Sequence, residues 1–256
     1  MVARTSFADL VGLFEALGLD RGDIAMVHCS LFTLGVLPEG PKTLLDALRW
    51  VLGEEGTVVV PTFTYSYRRG EVFDVRETPS DPAIGVFSEF VRRSPGAIRS
   101  LCPQFSMASV GMRAETLMYR DGPACFGPGS IYQRLFDEGV KTIALGVPYS
   151  RGLSAFMHFE KLAGVPYRRD LPLSGRTIGY DGVVFEDSAI HFARDEVNYV
   201  GGFTDRENMG RELEAAGIAK VCRLSHSAHV LLPAAAWRDH VVGRLKSDPL
   251  AMFREI

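Results

Sequence analysis

Ile24-Ala-Met-Val-His-Cys-Ser-Leu31, Pro41-Lys-Thr-Leu-Leu-Asp-Ala-Leu-Arg-Trp-Val-Leu52 and Thr57-Val-Val-Val-Pro61 read in succession as strand, helix and strand. The first opens with a short unbroken apolar run that delivers His28, Cys29 and Ser30 to its carboxyl end. In the second, proline suits a first helical turn, and Leu44, Leu45, Leu48 and Val51 recur at helical spacing. Gly53-Glu-Glu-Gly56 turns the chain into the third, which Pro61 closes. Strand, helix and strand with short joins suit parallel pairing. The expected fold is therefore α/β: layered helices around a central mixed, largely parallel sheet. Such sheets bind ligands at the carboxyl ends of their strands, which puts His28 to Leu31 and the polar-aromatic Thr62-Phe-Thr-Tyr-Ser-Tyr67 at a cleft.

Outward from this core, Ser6 can cap a helix over Phe7 to Leu17, with Asp9 at its third position. Asp81-Pro82 opens a helix running to Arg93, and Met107-Ala-Ser-Val-Gly111 and Lys141-Thr-Ile-Ala-Leu-Gly-Val147 are strands on either side of a helix from Ile131 to Phe136. A further helix begins near Ser154. Ser174 to Phe185 reads as a small antiparallel hairpin turning at Tyr180-Asp-Gly182. Thr204-Asp-Arg-Glu207 resembles a capping box for a helix reaching Ala216, Val221 to Leu232 is strand-like, and Ala234 to Leu245 is helical. The economical organisation is one domain over 1–256, with 165–203 as a flap or subdomain.

With 46% hydrophobic and 23% charged residues, the 256-residue chain can bury a sizeable core. A formal charge of -3 gives no electrostatic footprint for nucleic acid or an anionic membrane. No apolar run approaches the roughly 18 residues of a membrane span, and the start lacks an apolar leader core, so a cytoplasmic protein is expected. The four cysteines are scattered without close pairs, and His226 and His229 would face opposite sides of a strand. No metal site is expected. The bulk properties leave a homodimer open.

Chemistry concentrates in Ser154-Ala-Phe-Met-His-Phe-Glu160, where a hydroxyl, an imidazole and a carboxylate fall within seven positions at a helix start. Several separated motifs then point one way. Val27-His-Cys-Ser-Leu31 with Gly35, Gly56-Thr-Val-Val-Val-Pro-Thr-Phe-Thr64, Phe73-Asp74, Arg99-Ser100 followed by Pro103 and Ser106, Phe126-Gly127 with Ser130, and Glu160 with Gly164-Val-Pro-Tyr-Arg168 occur in an order that resembles the aminoglycoside 3-N-acetyltransferase family. That resemblance implies transfer of an acetyl group from acetyl-coenzyme A to the amine of an aminoglycoside or amino sugar. Antibiotic resistance is one role it would serve. It further implies His158 as general base, Glu160 as its orienting carboxylate, and Ser154 at the same site. Ser30, Leu31, Gly35, Ser106 and Met107 would hold the coenzyme, and Ser30, Ser106 and Ser154 are candidates for steadying the oxyanion.

The sequence departs from the family pattern twice. Cys102 stands where the family carries a histidine, and aligning Glu160 and Gly164 puts Met157, not His158, on the family's catalytic histidine. Two residues apart, His158 and Glu160 point about 200° from each other around an ideal helix. Either the first turn is irregular and returns His158 to the cleft, or the base takes another partner, or the ancestral activity is lost. The remaining alternatives are a coenzyme A or sugar binding protein and an acyl-transfer enzyme using Cys102 as nucleophile.

Overall fold

The computed structural model describes residues 3–119 and 122–255. In chain order the elements are α1 (Phe7–Leu17), β1 (Ile24–Cys29), α2 (Pro41–Leu52), β2 (Thr57–Pro61), β3 (Phe73–Asp74), α3 (Val86–Arg92), β4 (Ile98–Arg99), β5 (Met107–Gly111), α4 (Ala114–Met118), α5 (Ile131–Asp137) and β6 (Lys141–Leu145). There follow α6 (Ala155–Ala163), β7 (Arg168–Ile178), β8 (Val184–Arg194), β9 (Phe203–Thr204), α7 (Arg206–Ala215), β10 (Lys220–Leu224), β11 (Ser227–Pro233), α8 (Ala234–Ser247) and β12 (Phe253–Arg254).

Seven strands form the main sheet in the order β10-β11-β6-β1-β2-β5-β4. The mixed α/β class is as expected, but within this sheet parallel pairing is confined to β6, β1 and β2; the flanking pairs are antiparallel. The strand period of two sorts the core into two layers. Ala25, Val27, Val58, Val60, Ile143 and Leu145 face the side covered by α1, α2 and α3. Ile24, Met26, Val59 and Ala144 face the other, where Phe136, Phe156, Phe159 and Trp237 bring α5, α6 and α8 together. The Ser6 capping box starts α1 as its sequence implied.

A separate three-stranded sheet, β3-β7-β8, carries the hairpin. The hairpin is longer than its turn signals suggest, since β7 and β8 pair from Arg168↔Arg194 to Ile178↔Val184. It docks through Gly175, where any Cβ would lie 2.6 Å from the Tyr67 ring. At its tip the Tyr180 hydroxyl accepts from the Arg99 amide at 2.6 Å and donates to the Arg99 carbonyl at 3.1 Å.

Three local expectations change. The segment from Asp81 to Arg93 is a 3-10 turn (Pro82–Ile84) and then α3, separated by Gly85 at φ 102°. Asp205, rather than Thr204, caps α7 through the Asn208 amide. Val221 to Leu232 is two strands, β10 and β11, reversing at Ser225 and His226 with φ of 57° and 75°. His226 thus lies in a turn, and that left-handed reversal uses neither glycine nor asparagine, so the sequence carries no turn signal there.

Candidate active site

The carboxyl ends of β1, β2 and β6 open into a cavity of about 630 Å³. Its walls are His28 to Phe32 after β1, Phe63 and Tyr65 after β2, and Gly146 to Pro148 with Arg151 and Gly152 after β6. Ser30 precedes a 3-10 turn (Leu31–Leu34) and makes no side-chain capping bond. Gly146, at φ 61°, lets the chain pass so close to Thr33 that a Cβ would lie 1.9 Å from its hydroxyl oxygen. Gly85 and Val86 are shared with a neighbouring, largely apolar cavity of about 660 Å³ bordered by Phe90 and Arg93, so the space is an extended trough. His28 is buried, its Nε2 has no hydrogen-bond partner, and burial lowers its pKa to about 4.

A second cavity, of about 570 Å³, lies between the amino end of α6 and the hairpin. The register pairs Arg169 with Ala193 and Leu171 with His191, and the two-residue period brings all four onto this cavity. Met157, Arg68, Arg168, Arg194 and Glu196 complete most of the wall. The cavities meet across an aromatic partition. Phe63 and Tyr65 on the trough side pack on Phe105 at 5.0 and 6.3 Å, and Phe105 stacks on His191 at 5.1 Å on the other. Tyr65 and Arg68 share one 3-10 turn (Tyr65–Arg69), so a single short element serves both sides. His191 Nδ1 has no partner; burial first, then Arg68 and Arg168, lower its pKa to about 4.

Helix α6 opens with bonds from the Phe156 and Met157 amides to the Leu153 and Ser154 carbonyls and continues as an α-helix, on which adjacent residues cannot share a face. Met157 takes the cavity. The His158 ring is fully buried against Phe136 and Tyr132, with centroids at 5.6 and 6.1 Å. Its Nδ1 accepts from the Gly127 amide at 3.0 Å, while Nε2 has no partner. Burial, reinforced by the charge of Arg238, lowers its pKa to about 3. The cleft-facing position expected for His158 is therefore not what the fold provides.

Glu160, also fully buried, holds other partners. Its Oε2 lies 2.7 Å from Arg168 Nε and 3.6 Å from Arg206, charge contacts rather than aligned hydrogen bonds, and Tyr167 donates to Oε1 at 3.1 Å. The Ser154 hydroxyl bonds Tyr132 in the core. Ser106 and Met107 are fully buried away from both cavities; the Ser106 hydroxyl donates to the Thr62 carbonyl at 2.6 Å and accepts from Arg99 Nε at 3.1 Å. Of the five expected coenzyme residues, Ser30 and Leu31 line the trough, and Gly35 closes the 3-10 turn that begins there. Cys102 is buried with its sulfur 3.7 Å from that of Cys125 and lines neither cavity. His191 and, apart from Arg168 in the family motif, the arginines around it were missed by sequence reasoning. Strand alternation could have flagged them, but only once β7 and β8 were seen to run their full length.

Among the described residues, no group of three or more His, Cys, Asp and Glu is arranged to hold a metal, and no helix is long and apolar enough to cross a membrane. A trough at the carboxyl edge of a sheet covered by helices on both faces, with a second cavity close beside it, is where α/β proteins bind ligands. The model of the aminoglycoside 3-N-acetyltransferase family matches residues 26–246, and the chain belongs to that family. It is 30% identical over 263 residues to the aminoglycoside N(3)-acetyltransferase VII of Streptomyces paromomycinus, covering 90% of each chain. To the aminoglycoside N(3)-acetyltransferase III of Acinetobacter baumannii it is 34% identical over 182 residues, covering 62% of this chain and 63% of that one. Among solved structures, aminoglycoside acetyltransferase AAC(3)-Xa superposes with a TM-score of 0.83 at 28% identity, covering 96% of this chain and 94% of the other. AAC-IIIb in a binary complex with coenzyme A does so with a TM-score of 0.83 at 25% identity, covering 96% and 97%.

Proposed function

We propose that the protein transfers the acetyl group of acetyl-coenzyme A to the primary amine of an amino sugar or aminoglycoside-like molecule. The coenzyme lies along the trough and the acceptor occupies the cavity under the hairpin. The observation that carries this reading is the closeness of the two cavities, whose linings approach through the stacked Phe105 and His191 rings; on this reading the acceptor amine passes the edge of that stack to meet the thioester. AAC-IIIb, of the same fold, binds coenzyme A. Arg151 and Arg93, on the trough and its extension, are free of carboxylate partners among the described residues and suit the coenzyme's phosphates.

Attack on the thioester carbonyl needs a neutral amine, so an ammonium acceptor first loses one proton to solvent; a second leaves nitrogen as the tetrahedral adduct collapses to the amide, and the sulfur departs with a proton as the carbon–sulfur bond breaks. The cavity favours this twice. Arg68 and Arg168 disfavour a further positive charge beside them, holding the acceptor amine toward its neutral form. On this reading His191, neutral at pH 7 with Nδ1 unpartnered, passes the proton that leaves nitrogen to the departing sulfur, so no lasting positive charge builds up beside Arg68 and Arg168. His158 and Glu160 support α6 from the core.

Thiol release from acetyl-coenzyme A with a panel of amino sugars tests the assignment. His191→Ala should lower kcat by about a hundredfold or more, in the range of general base catalysis, while folded His158→Ala keeps its turnover. Unchanged turnover in His191→Ala would remove His191 from the mechanism. Met157 in the family's histidine position motivates a second reading, a protein that binds coenzyme A without turning it over. Tight coenzyme binding with no thiol release across the panel would select it.

A further inference from the structure

The cavity under the hairpin carries an unusual charge for an acceptor site. Arg68, Arg168, Arg169 and Arg194 line it against one lining carboxylate, Glu196. The next layer adds Glu160, Asp195 and Arg206. Five guanidinium groups thus face three carboxylates, a surplus of two positive charges. The pairings show where the surplus sits. Glu160 is divided between Arg168 and Arg206, Arg194 lies 3.1 Å from Glu196, and Arg169 is 3.8 Å from Asp195. Arg68, exposed on the turn after β2, has no carboxylate partner among the described residues.

A polycationic aminoglycoside carries several ammonium groups and needs a surplus of the opposite sign. The acidic residues that could have supplied it are engaged elsewhere. Asp74 accepts the amides of Arg76 and Glu77 in its own loop at 2.8 and 3.0 Å, and Asp81 accepts the Ala83 amide at 3.0 Å and borders the trough extension instead. A guanidinium presents paired donors that match a carboxylate or phosphate, and an unpaired one on a cavity rim is a ready anion partner.

Resting on the acetyl-transfer reading above, we infer that the acceptor is an amino sugar bearing an anionic group, a phosphate ester or a carboxylate, held by Arg68 with its amine toward His191. A cavity of about 570 Å³ accommodates one hexose with its substituent. The anion could also be one of the coenzyme's own phosphates, and the test separates the two sources.

Titration calorimetry is run on the protein saturated with coenzyme A, with glucosamine, glucosamine 6-phosphate, 2-amino-2-deoxyglucuronate and gentamicin. At least one of the two anionic sugars should bind tenfold or more tightly than glucosamine, gentamicin should bind more weakly than that sugar, and Arg68→Glu should abolish the preference. Because Arg68 is exposed, the variant is expected to fold; the wild-type preference should also shrink with added salt. Equal binding of the anionic sugars and glucosamine, tighter binding of gentamicin, or a preference unchanged in Arg68→Glu would overturn the inference. An anion preference present without coenzyme A and lost on its saturation would assign the arginines to the coenzyme's phosphates and overturn it equally. Failure of the acetyl-transfer reading shows separately, as no thiol release with any amine.

Discussion

Glu160→Gln separates a structural from a catalytic role for the carboxylate at the centre of the buried charge cluster. Glu160 has no exposed surface, and Arg168 and Arg206 are both largely buried beside it. Burial lowers the pKa of Arg206, and the Glu160 charge opposes that shift. Neutralising Glu160 leaves two buried guanidinium groups facing an amide, and removing one partner of a buried ion pair costs about 3–5 kcal/mol. For a chain of this size each kcal/mol moves Tm by about 2–4 °C, so a fall of about 6–20 °C is expected. Differential scanning fluorimetry and urea titration measure it. The double variant Glu160→Gln/Arg206→Met, which also removes one of the stranded charges, should recover a large part of the loss. A fall in Tm below about 2 °C together with a hundredfold loss of thiol release would refute the reasoning, because the carboxylate would then act on the chemistry and not on its arginines.

Three other perturbations follow from the same contacts. His158 and His28 stay neutral in the fold down to pH about 3 and about 4, whereas in the unfolded chain each protonates near pH 6.5. The unfolded state therefore binds more protons in that window, and stability present above pH 6.5 is lost as pH falls, by about 4 kcal/mol for the pair between pH 7.5 and 5. Urea midpoints at pH 7.5 and 5 should show the drop, to which the lowered pKa of His191 adds, and His158→Gln should reduce it by about 2 kcal/mol; an unchanged drop would exclude His158 as a source. Gly146→Ala forces a side chain into Thr33 beside the trough, so it should raise the KM for acetyl-coenzyme A several-fold with a smaller change in the acceptor KM, read from initial rates. Arg99 donates from Nη2 to the Thr62 carbonyl at 2.6 Å and to the Thr64 hydroxyl at 2.9 Å, and from Nη1 to the Thr78 carbonyl. Arg99→Lys strands buried acceptors that an ammonium cannot span and should cost about 3 kcal/mol by urea titration.

The bounds of α2 and β2 and the start of β1 were legible because period and punctuation agree there: proline opens the helix, glycines close it, and each strand carries a run of consecutive apolar residues. The family motifs were legible for the same reason, lying where the backbone is tightly specified. The direction of His158 was not. On a nine-residue helix the outward face is decided by what packs behind it, and Phe156 and Phe159 against Trp237, far along the chain, fix that rotation. The wall of the second cavity was hidden because Arg68, Met157 and His191 come from three separate segments. Only the full register of β7 and β8 reveals that Arg169, Leu171, His191 and Ala193 share a face.

The trough is built on the seven-stranded sheet, whereas most of the second cavity's wall belongs to the hairpin sheet. Substitutions on that hairpin face leave the β6-β1-β2 pairing, and the walls set by it, in place. With the acceptor in the second cavity and the donor in the trough, as proposed, a lineage carrying this fold can exchange one acceptor for another by drift on two strands while keeping its donor. The β7–β8 hairpin is the replaceable half of the enzyme, and selection for a new substrate should leave its record there first.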